Sequence, residues 1–271
     1  MAITTEDGVL AGLKPPVPFQ KNAFTGQAAG QFHNLGVVAG NPGVWTLGAP
    51  GMAGVAVSAN ALGGALRFDN PSAGFAYLAK LAANVGANIR ALTLYDLLWY
   101  QSGLAETTTT AQTINSVAFP ARDIAGSVNG DGVEAWLHCT TATTNAAIAN
   151  TTLGYTNEAG TGSRSAGLAY DWPANAVAGT MVPFGLQGSD RGVRSIQTLT
   201  LGTSYGGGQV ELLALRRLAR IAFSADNAGD VYDWARLALP RLFDSSAIYI
   251  AAKLAGTAAG ACDGEAAFAH G

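Results

Sequence analysis

Short apolar runs recur along the chain from about residue 52 onward, separated by Gly, Asn, Asp and Ser. This rhythm is typical of all-β sandwiches and barrels rather than of βαβ units, whose strands alternate with long helices. We therefore predict an all-β fold, an antiparallel β-sandwich of jelly-roll type with little helix. The predicted strands are 52–58, 64–69, 76–83, 89–100, 112–119, 133–141, 147–156, 163–170, 181–187, 193–202 and 208–223.

Two segments also satisfy the helical spacing i, i+3, i+4, i+7, so periodicity alone does not assign them. They are residues 76–98 and 209–223. Gly86 interrupts the first, and the three glycines at 206–208 precede the second as a turn would. We predict strands in both. We predict one short helix over residues 229–239, ending at Pro240.

Two turn signals favour hairpins, because Gly, Asn and Asp adopt positive φ at little cost. They are Asn129-Gly130-Asp131-Gly132 and the stretch from Asn157 to Gly160. The first also fits the dinucleotide pattern G-x-G-x-x-A through Ala135. A bound phosphate would need a helix N-terminus after the glycines, but residues 133–141 predict a strand, so we interpret the pattern as a turn.

The first fifty residues differ from the rest because proline and glycine are frequent there, which disfavours a long helix and removes donors from a sheet. We predict an extended N-terminal arm over 1–50, a β-sandwich domain over 51–254 and a flexible Ala/Gly-rich tail over 255–271. The arm carries four apolar aromatic residues that gain free energy on burial. They pack either on their own domain or on a neighbouring subunit; they are Phe19, Phe24, Phe32 and Trp45.

Charged residues make up only 12% of the chain, against roughly 25% in an average domain. The net charge of −3 disfavours a phosphate-binding surface, so we expect no direct nucleic-acid binding. No apolar stretch reaches the roughly 18 residues of a membrane span. Glu6 and Asp7 stand where a secretory signal needs positive charge, which predicts a cytosol-like compartment. Cys139 and Cys262 are widely spaced, which predicts free thiols.

The inventory of catalytic groups is thin. His33 lies in the arm and His270 in the tail, whereas His138 and Cys139 are neighbours on a predicted strand. Adjacent strand residues point to opposite faces, so His138 and Cys139 do not form a nucleophilic pair. We predict no enzymatic activity, no cofactor and no metal site. The scattered carboxylates leave open a glycosidase-like pair; they are Asp96, Glu106, Asp123, Asp131, Glu134 and Glu158.

The densest basic cluster comprises Arg216, Arg217 and Arg220. On a strand, Arg216 and Arg220 share one face and Arg217 takes the other. The cluster either is solvated and paired within the chain, or contacts an acidic partner surface.

Three segments resemble virion structural proteins of tailed bacteriophages. They begin TTTTAQTINSVAFPARDIAGSVNGDGVEAW at residue 107, LQGSDRGVRSIQTLTLGTSYGGGQVELLALRRLARI at 186 and PRLFD at 240, and the opening MAITTEDGVLAGLKPPVPF is similar too. The resemblance implies a particle component, a capsid cement or decoration protein. Its partners would be the major capsid protein and copies of itself, with a trimer expected at a site of local threefold symmetry. It would be made in the host bacterial cytoplasm and reside in the virion.

Two other functions remain open from the sequence. A tail or host-recognition protein of the virion would bind cells or glycans by itself. A small carbohydrate-acting enzyme would use two of the scattered carboxylates.

Overall fold

The computed structural model describes residues 3, 5–58 and 62–271, and these residues are mostly β-structure. The helices are α1 (Glu6–Gly12) and α2 (Trp234–Leu237), with a 3-10 turn at Leu35–Val37. The first strands are β1 (Val17–Lys21), β2 (Phe24–Thr25), β3 (Phe32–Asn34), β4 (Gly40–Asn41), β5 (Val55–Ala56), β6 (Ala76–Val85), β7 (Ile89–Tyr100), β8 (Gln112–Thr113), β9 (Val133–Thr141) and β10 (Thr152–Asn157). The remaining strands are β11 (Arg164–Leu168), β12 (Thr180–Gly185), β13 (Val193–Thr200), β14 (Gln209–Ala222), β15 (Ala228–Tyr232), β16 (Arg241–Leu242), β17 (Ile248–Leu254), β18 (Ala258–Ala259) and β19 (Cys262–His270).

The chain divides into two compact units. Unit 1 comprises the described residues of Met1–Leu47, Ala59–Asp96 and Leu218–Gly271, and unit 2 comprises Gly48–Ser58 and Leu97–Arg217. The division falls inside β7 and β14, so each of these long strands contributes residues to both units.

Unit 1 contains an antiparallel sheet in the order β15-β6-β19-β1-β4, with β16 paired to β6. A second run of strands follows the order β3-β17-β7, in which Ile250 pairs with Leu94. One apolar cluster takes side chains from both sets of strands, including Leu78 of β6, Phe268 of β19 and Leu92 of β7. Period-2 alternation explains this arrangement, because every second side chain of each strand points into the cluster.

Unit 2 contains the antiparallel order β14-β9-β12-β11-β10-β13-β8, and β5 pairs with the end of β7. Its apolar cluster is rich in large rings. Trp172 and Tyr205 stack with ring centroids 5.4 Å apart, and the Tyr205 hydroxyl lies 2.9 Å from Oγ1 of Thr151. The buried hydroxyl therefore keeps a hydrogen-bond partner, as burial of a polar group requires.

The all-β prediction is confirmed, whereas the jelly-roll connection stays a prediction. Both segments with helical spacing are strands. Strands β7 and β9 have the predicted bounds of 89–100 and 133–141, and the stretch from Asn157 to Gly160 begins the β10–β11 turn, with Gly160 at φ +81°.

Several local predictions are wrong. Residues 64–69 form only a bridge at Leu66, and 112–119 and 52–58 shrink to two-residue strands. The predicted helix at 229–239 is strand β15 followed by the single turn α2. Gly130 and Gly132 have positive φ directly before β9, so they form the predicted turn. The predicted hairpin is absent there, because no strand directly precedes these glycines.

The two ends of the chain belong to the sheets of unit 1. The described residues of the predicted arm form α1 and β1 to β4, and β1 pairs with β19. The prediction of a flexible tail over 255–271 is wrong, because β19 lies between β6 and β1 and Ala266 and Phe268 are buried. Small side chains do not prevent burial here, since the backbone ladder supplies the hydrogen bonds.

Candidate interaction surface

The outer face of the six-stranded sheet in unit 1 carries small side chains around Ala82, beside a few polar ones. Cross-strand register aligns Pro18 with Glu265, Glu265 with Ala82, and Ala82 with Val231. These four residues therefore form one row across β1, β19, β6 and β15, and alternate residues such as Leu81 point into the core. We call this surface the small-residue face. Pro18 and Val231 are exposed, so the row ends at solvent on both sides.

A shallow groove of about 730 Å³ follows this row. It is lined by Pro18, Ala82, Ala83, Asn84, Gly229, Asp230, Val231, Asp263, Gly264 and Glu265. A second groove, of about 710 Å³, shares Asn84 and Asp263 with it and continues past Gly86 and Gly260. Because short side chains line both grooves, a partner could approach close to the backbone of this sheet.

The charges on the small-residue face are Lys80, Glu265 and Asp263, of which the first two form an ion pair and the third accepts from a neutral amide. Lys80 Nζ lies 2.6 Å from Oε1 of Glu265. Asn84 donates through Nδ2 to Oδ2 of Asp263 at 3.3 Å. Pairs this exposed contribute little to stability, typically 0–1 kcal/mol.

The predicted aromatic contacts all lie in unit 1. Phe19 is buried in its core. Phe24 is half-buried and stacks on His33 at 4.5 Å, and the half-buried Trp45 packs 4.3 Å from the Tyr249 ring. Phe32 is half-buried, and its ring centroid lies 5.4 Å from Nζ of Lys253. The aromatic residues thus pack on their own unit, and a contact of these residues with another subunit stays a prediction.

The predicted arginine cluster is divided by burial. Arg216 is buried, whereas Arg217 and Arg220 are exposed. Strict alternation is lost because Leu218 and Ala219 are both buried between them. Arg217 forms an ion pair with Glu134 of the adjacent strand β9. The cluster is therefore partly paired within unit 2, and its role at an interface stays a prediction.

His138 and Cys139 point to opposite faces of β9, as the sequence predicts. Cys139 lies in the apolar cluster of unit 2, and burial raises the pKa of its thiol to about 12. His138 pairs instead with the buried Glu211, with 2.8 Å between Nδ1 and Oε1. The two residues are register partners on β9 and β14, so the pair crosses one step of the ladder.

The scattered carboxylates accept hydrogen bonds from their own surroundings. Asp123 accepts from the backbone and hydroxyl of Ser127, each at 2.6 Å, and these bonds lower its pKa although burial opposes them. Asp96 accepts from Ser246 and Ala247, and Glu106 from the Val210 amide. Among the described residues, no group of three or more His, Cys, Asp or Glu side chains could hold a metal ion.

A polar cluster that the sequence analysis missed surrounds Asp190 in unit 2. Arg164 donates Nε to Oδ2 at 2.8 Å and a terminal nitrogen to Oδ1 at 3.0 Å, and Asn157 donates to Oδ1 at 2.8 Å. The Tyr155 hydroxyl donates to Oδ2 at 2.5 Å. Hydrogen bonds from Arg164 and then Tyr155 lower the pKa of Asp190 to about 2. The cluster fixes the segment before β13, and its donors come from β10 and β11.

A second missed group is the buried Lys21 of β1. Its ammonium donates to the carbonyl oxygens of Val38 at 3.1 Å, Pro42 at 2.7 Å and Gly43 at 3.3 Å. Burial lowers the pKa of Lys21 to about 8. Three donors meet three acceptors, so the side chain holds residues 38–43 against β1.

Among the residues that the structure describes, no helix is both long and apolar enough to cross a membrane. No protein-family model and no curated protein matches the chain. Weak similarity is found to solved structures of infectious bursal disease virus. The Gt strain structure is 12% identical with a TM-score of 0.21, covering 95% of this chain and 82% of that chain. The VP2 subviral particle is 9% identical with a TM-score of 0.20, covering 96% and 81%. So low a TM-score assigns neither a fold nor a function to this chain.

Proposed function

We propose that this chain is a structural component of a virion, acting through contacts with neighbouring subunits and without catalysing a reaction. In its finer form, the proposal is a cement or decoration protein on a tailed-phage capsid, with a jelly-roll sandwich as its fold. Its partners are the major capsid protein and copies of itself, in a trimer where local threefold symmetry allows. The sequence resemblance at 107–166 and 186–221 supports this assignment.

The small-residue face is the observation that carries the proposal. Pro18, Ala82 and Val231 lie in one row across adjacent strands, and the nearby charges of Lys80 and Glu265 neutralise each other. Leaving a charge unpaired is the costly event at an interface. A partner that packs on this row meets one neutralised pair, and it would have to supply a donor only to Asp263 beside the row.

Stabilisation of a shell would follow from mass action. A protein that binds the assembled shell and not its separated subunits lowers the free energy of the assembled state by RT ln(1 + [L]/Kd). No covalent step is needed, and many modest contacts would be sufficient. This mechanism requires only a complementary surface and enough copies.

A bulky substitution on the face tests the proposal. Ala82→Arg places a long charged side chain in the middle of the row, and we expect purified variant protein to bind capsids lacking the native copy at least tenfold more weakly than wild type. Ala111→Arg is the matched control, because Ala111 is exposed in unit 2. Equal binding by all three proteins would contradict the use of this face.

The tail or host-recognition alternative gives a different result in the same assay. The alternative predicts that wild-type protein binds host cells or isolated tails and does not bind capsids. That result would contradict the cement role and support the tail or host-recognition role.

A further inference from the structure

Strand β15 is the last strand on one side of the six-stranded sheet, and among the described residues it pairs only with β6. An edge strand exposes backbone N–H and C=O groups to which another strand can pair. In an antiparallel ladder, alternate residues direct these groups toward the neighbour and away from it. The outer edge of β15 is therefore a potential pairing site.

Two charged side chains occupy this edge at Val231. The Val231 amide donates to Oδ1 of Asp230 at 2.8 Å, and the Val231 carbonyl accepts from a terminal nitrogen of Arg236 at 3.4 Å. Since both backbone groups of Val231 meet side chains, they point away from β6. Gly229, two residues earlier, has the same orientation by alternation.

After β15 the chain turns into α2, which brings Arg236 back over the strand. Asp233 caps α2 by accepting from the Arg236 amide at 3.0 Å. The Arg236 guanidinium lies 3.7 Å from the centroid of the Tyr232 ring and 3.6 Å from Oδ1 of Asp230. Asp230 and Arg236 thus form a linked pair, which we call the edge cap.

The spacing of the outward groups fits a second copy of the same strand. If two β15 strands met antiparallel about Asp230, Gly229 of each copy would pair with Val231 of the other, giving four N–H···O bonds. In that register the two Asp230 side chains would lie directly opposite each other, and like charges in this position are destabilising. The edge cap therefore opposes such pairing in two ways, by occupying the Val231 groups and by charge repulsion.

We infer that Asp230 and Arg236 keep the β15 edge closed against a second copy of this chain, and that removing them turns this edge into a self-pairing surface. The inference concerns the backbone edge of β15, which borders the row through Ala82 at Val231. Its readout is self-association rather than capsid binding, so it holds whether or not the chain belongs to a virion.

Sedimentation equilibrium tests the inference on the full chain. We expect D230A/R236A to self-associate at least tenfold more tightly than wild type. Arg90→Ala is the control, because Arg90 and Asp226 form a comparably exposed ion pair in the same unit that does not contact the backbone of Val231. The milder D230N variant removes the repulsion but keeps an acceptor for Val231, and we expect a smaller increase.

A third variant shows where the copies pair. Adding Val231→Pro to D230A/R236A removes the outward N–H while leaving the bonds to β6 in place, as an edge strand tolerates. We expect this triple variant to return to the association constant of wild type. The inference is overturned if D230A/R236A associates no more tightly than wild type and R90A, or if the triple variant associates as tightly as D230A/R236A.

Discussion

The Tyr155 hydroxyl donates a 2.5 Å hydrogen bond to Oδ2 of Asp190. The same carboxylate accepts hydrogen bonds from Nε and a terminal nitrogen of Arg164. Charge-assisted bonds of this kind are about twice as strong as neutral ones. They favour the ionised carboxylate, which is why the pKa of Asp190 falls to about 2.

Acid should therefore weaken unit 2 through Asp190. Its folded-state pKa of about 2 lies below the ordinary value of 3.8, so the contribution to stability is complete above about pH 4 and is lost as the pH falls toward 2. We expect Asp190→Asn to flatten the dependence of the free energy of unfolding on pH in this window. Asp171→Asn is the control, because Asp171 is exposed in the same unit. Urea denaturation at pH 2 to 5 measures the effect, and parallel curves for D190N and wild type would contradict it.

Loss of the Lys21 ammonium should destabilise unit 1. Lys21→Met keeps the aliphatic stem but leaves the carbonyls of Val38, Pro42 and Gly43 without their donor. An unsatisfied buried polar group costs about 1–3 kcal/mol. Because the bond to Val38 is buried and the other two are partly exposed, we expect a loss of about that size in urea denaturation. Lys14→Met, at an exposed position, should change little. Equal stability of the Lys21→Met and Lys14→Met variants would contradict a stabilising role for the Lys21 ammonium.

Truncation of a buried ring in β19 should reveal the structural role of the C-terminal segment. Phe268 is buried beside the Phe68 ring, with centroids 5.4 Å apart. Phe268→Ala should cost about 3–5 kcal/mol of unfolding free energy. Leu10→Ala, at a side chain that is 59% exposed, should cost far less. A flexible tail would instead give no measurable loss for F268A.

Both thiols should resist chemical modification in the folded chain. Burial raises the pKa values of Cys139 and Cys262 to about 12, and the reactive thiolate is therefore scarce at neutral pH. We expect an aromatic disulfide reagent to titrate two thiols per chain only after denaturation. Rapid reaction of either thiol in native buffer would show that its strand opens readily.

The sequence predicts strands where bulky or β-branched residues lie between turn signals. Strands β7 and β9 meet this condition, and their bounds match those of the structure. Strand β19 does not, because its residues are mostly small. The structure explains their size: a Cβ on Gly264 would lie 2.2 Å from the Ala82 carbonyl oxygen and 2.6 Å from the Phe19 ring. At this position close packing thus requires glycine, one of the small residues that made the segment look like a tail.

The polar clusters could not be predicted because their members are distant in sequence. Asp190 meets Tyr155 and Arg164 only after β10 and β11 pair. Lys21 meets residues 38–43 only after the chain turns back along β1. The small-residue face likewise depends on register, which aligns Ala82 with Glu265 and Val231. The separation of His138 from Cys139 needed only strand alternation and holds in the structure. The same argument is wrong for Arg216 and Arg220, because alternation is lost at Leu218 and Ala219.

Quantitative mass spectrometry of purified virus particles tests the virion role most directly. If the chain is a shell component, it should be present in particles in a fixed ratio to the major capsid protein, and that ratio should survive repeated density-gradient purification. A chain that is abundant in the producing cells but absent from purified particles would contradict the proposed function.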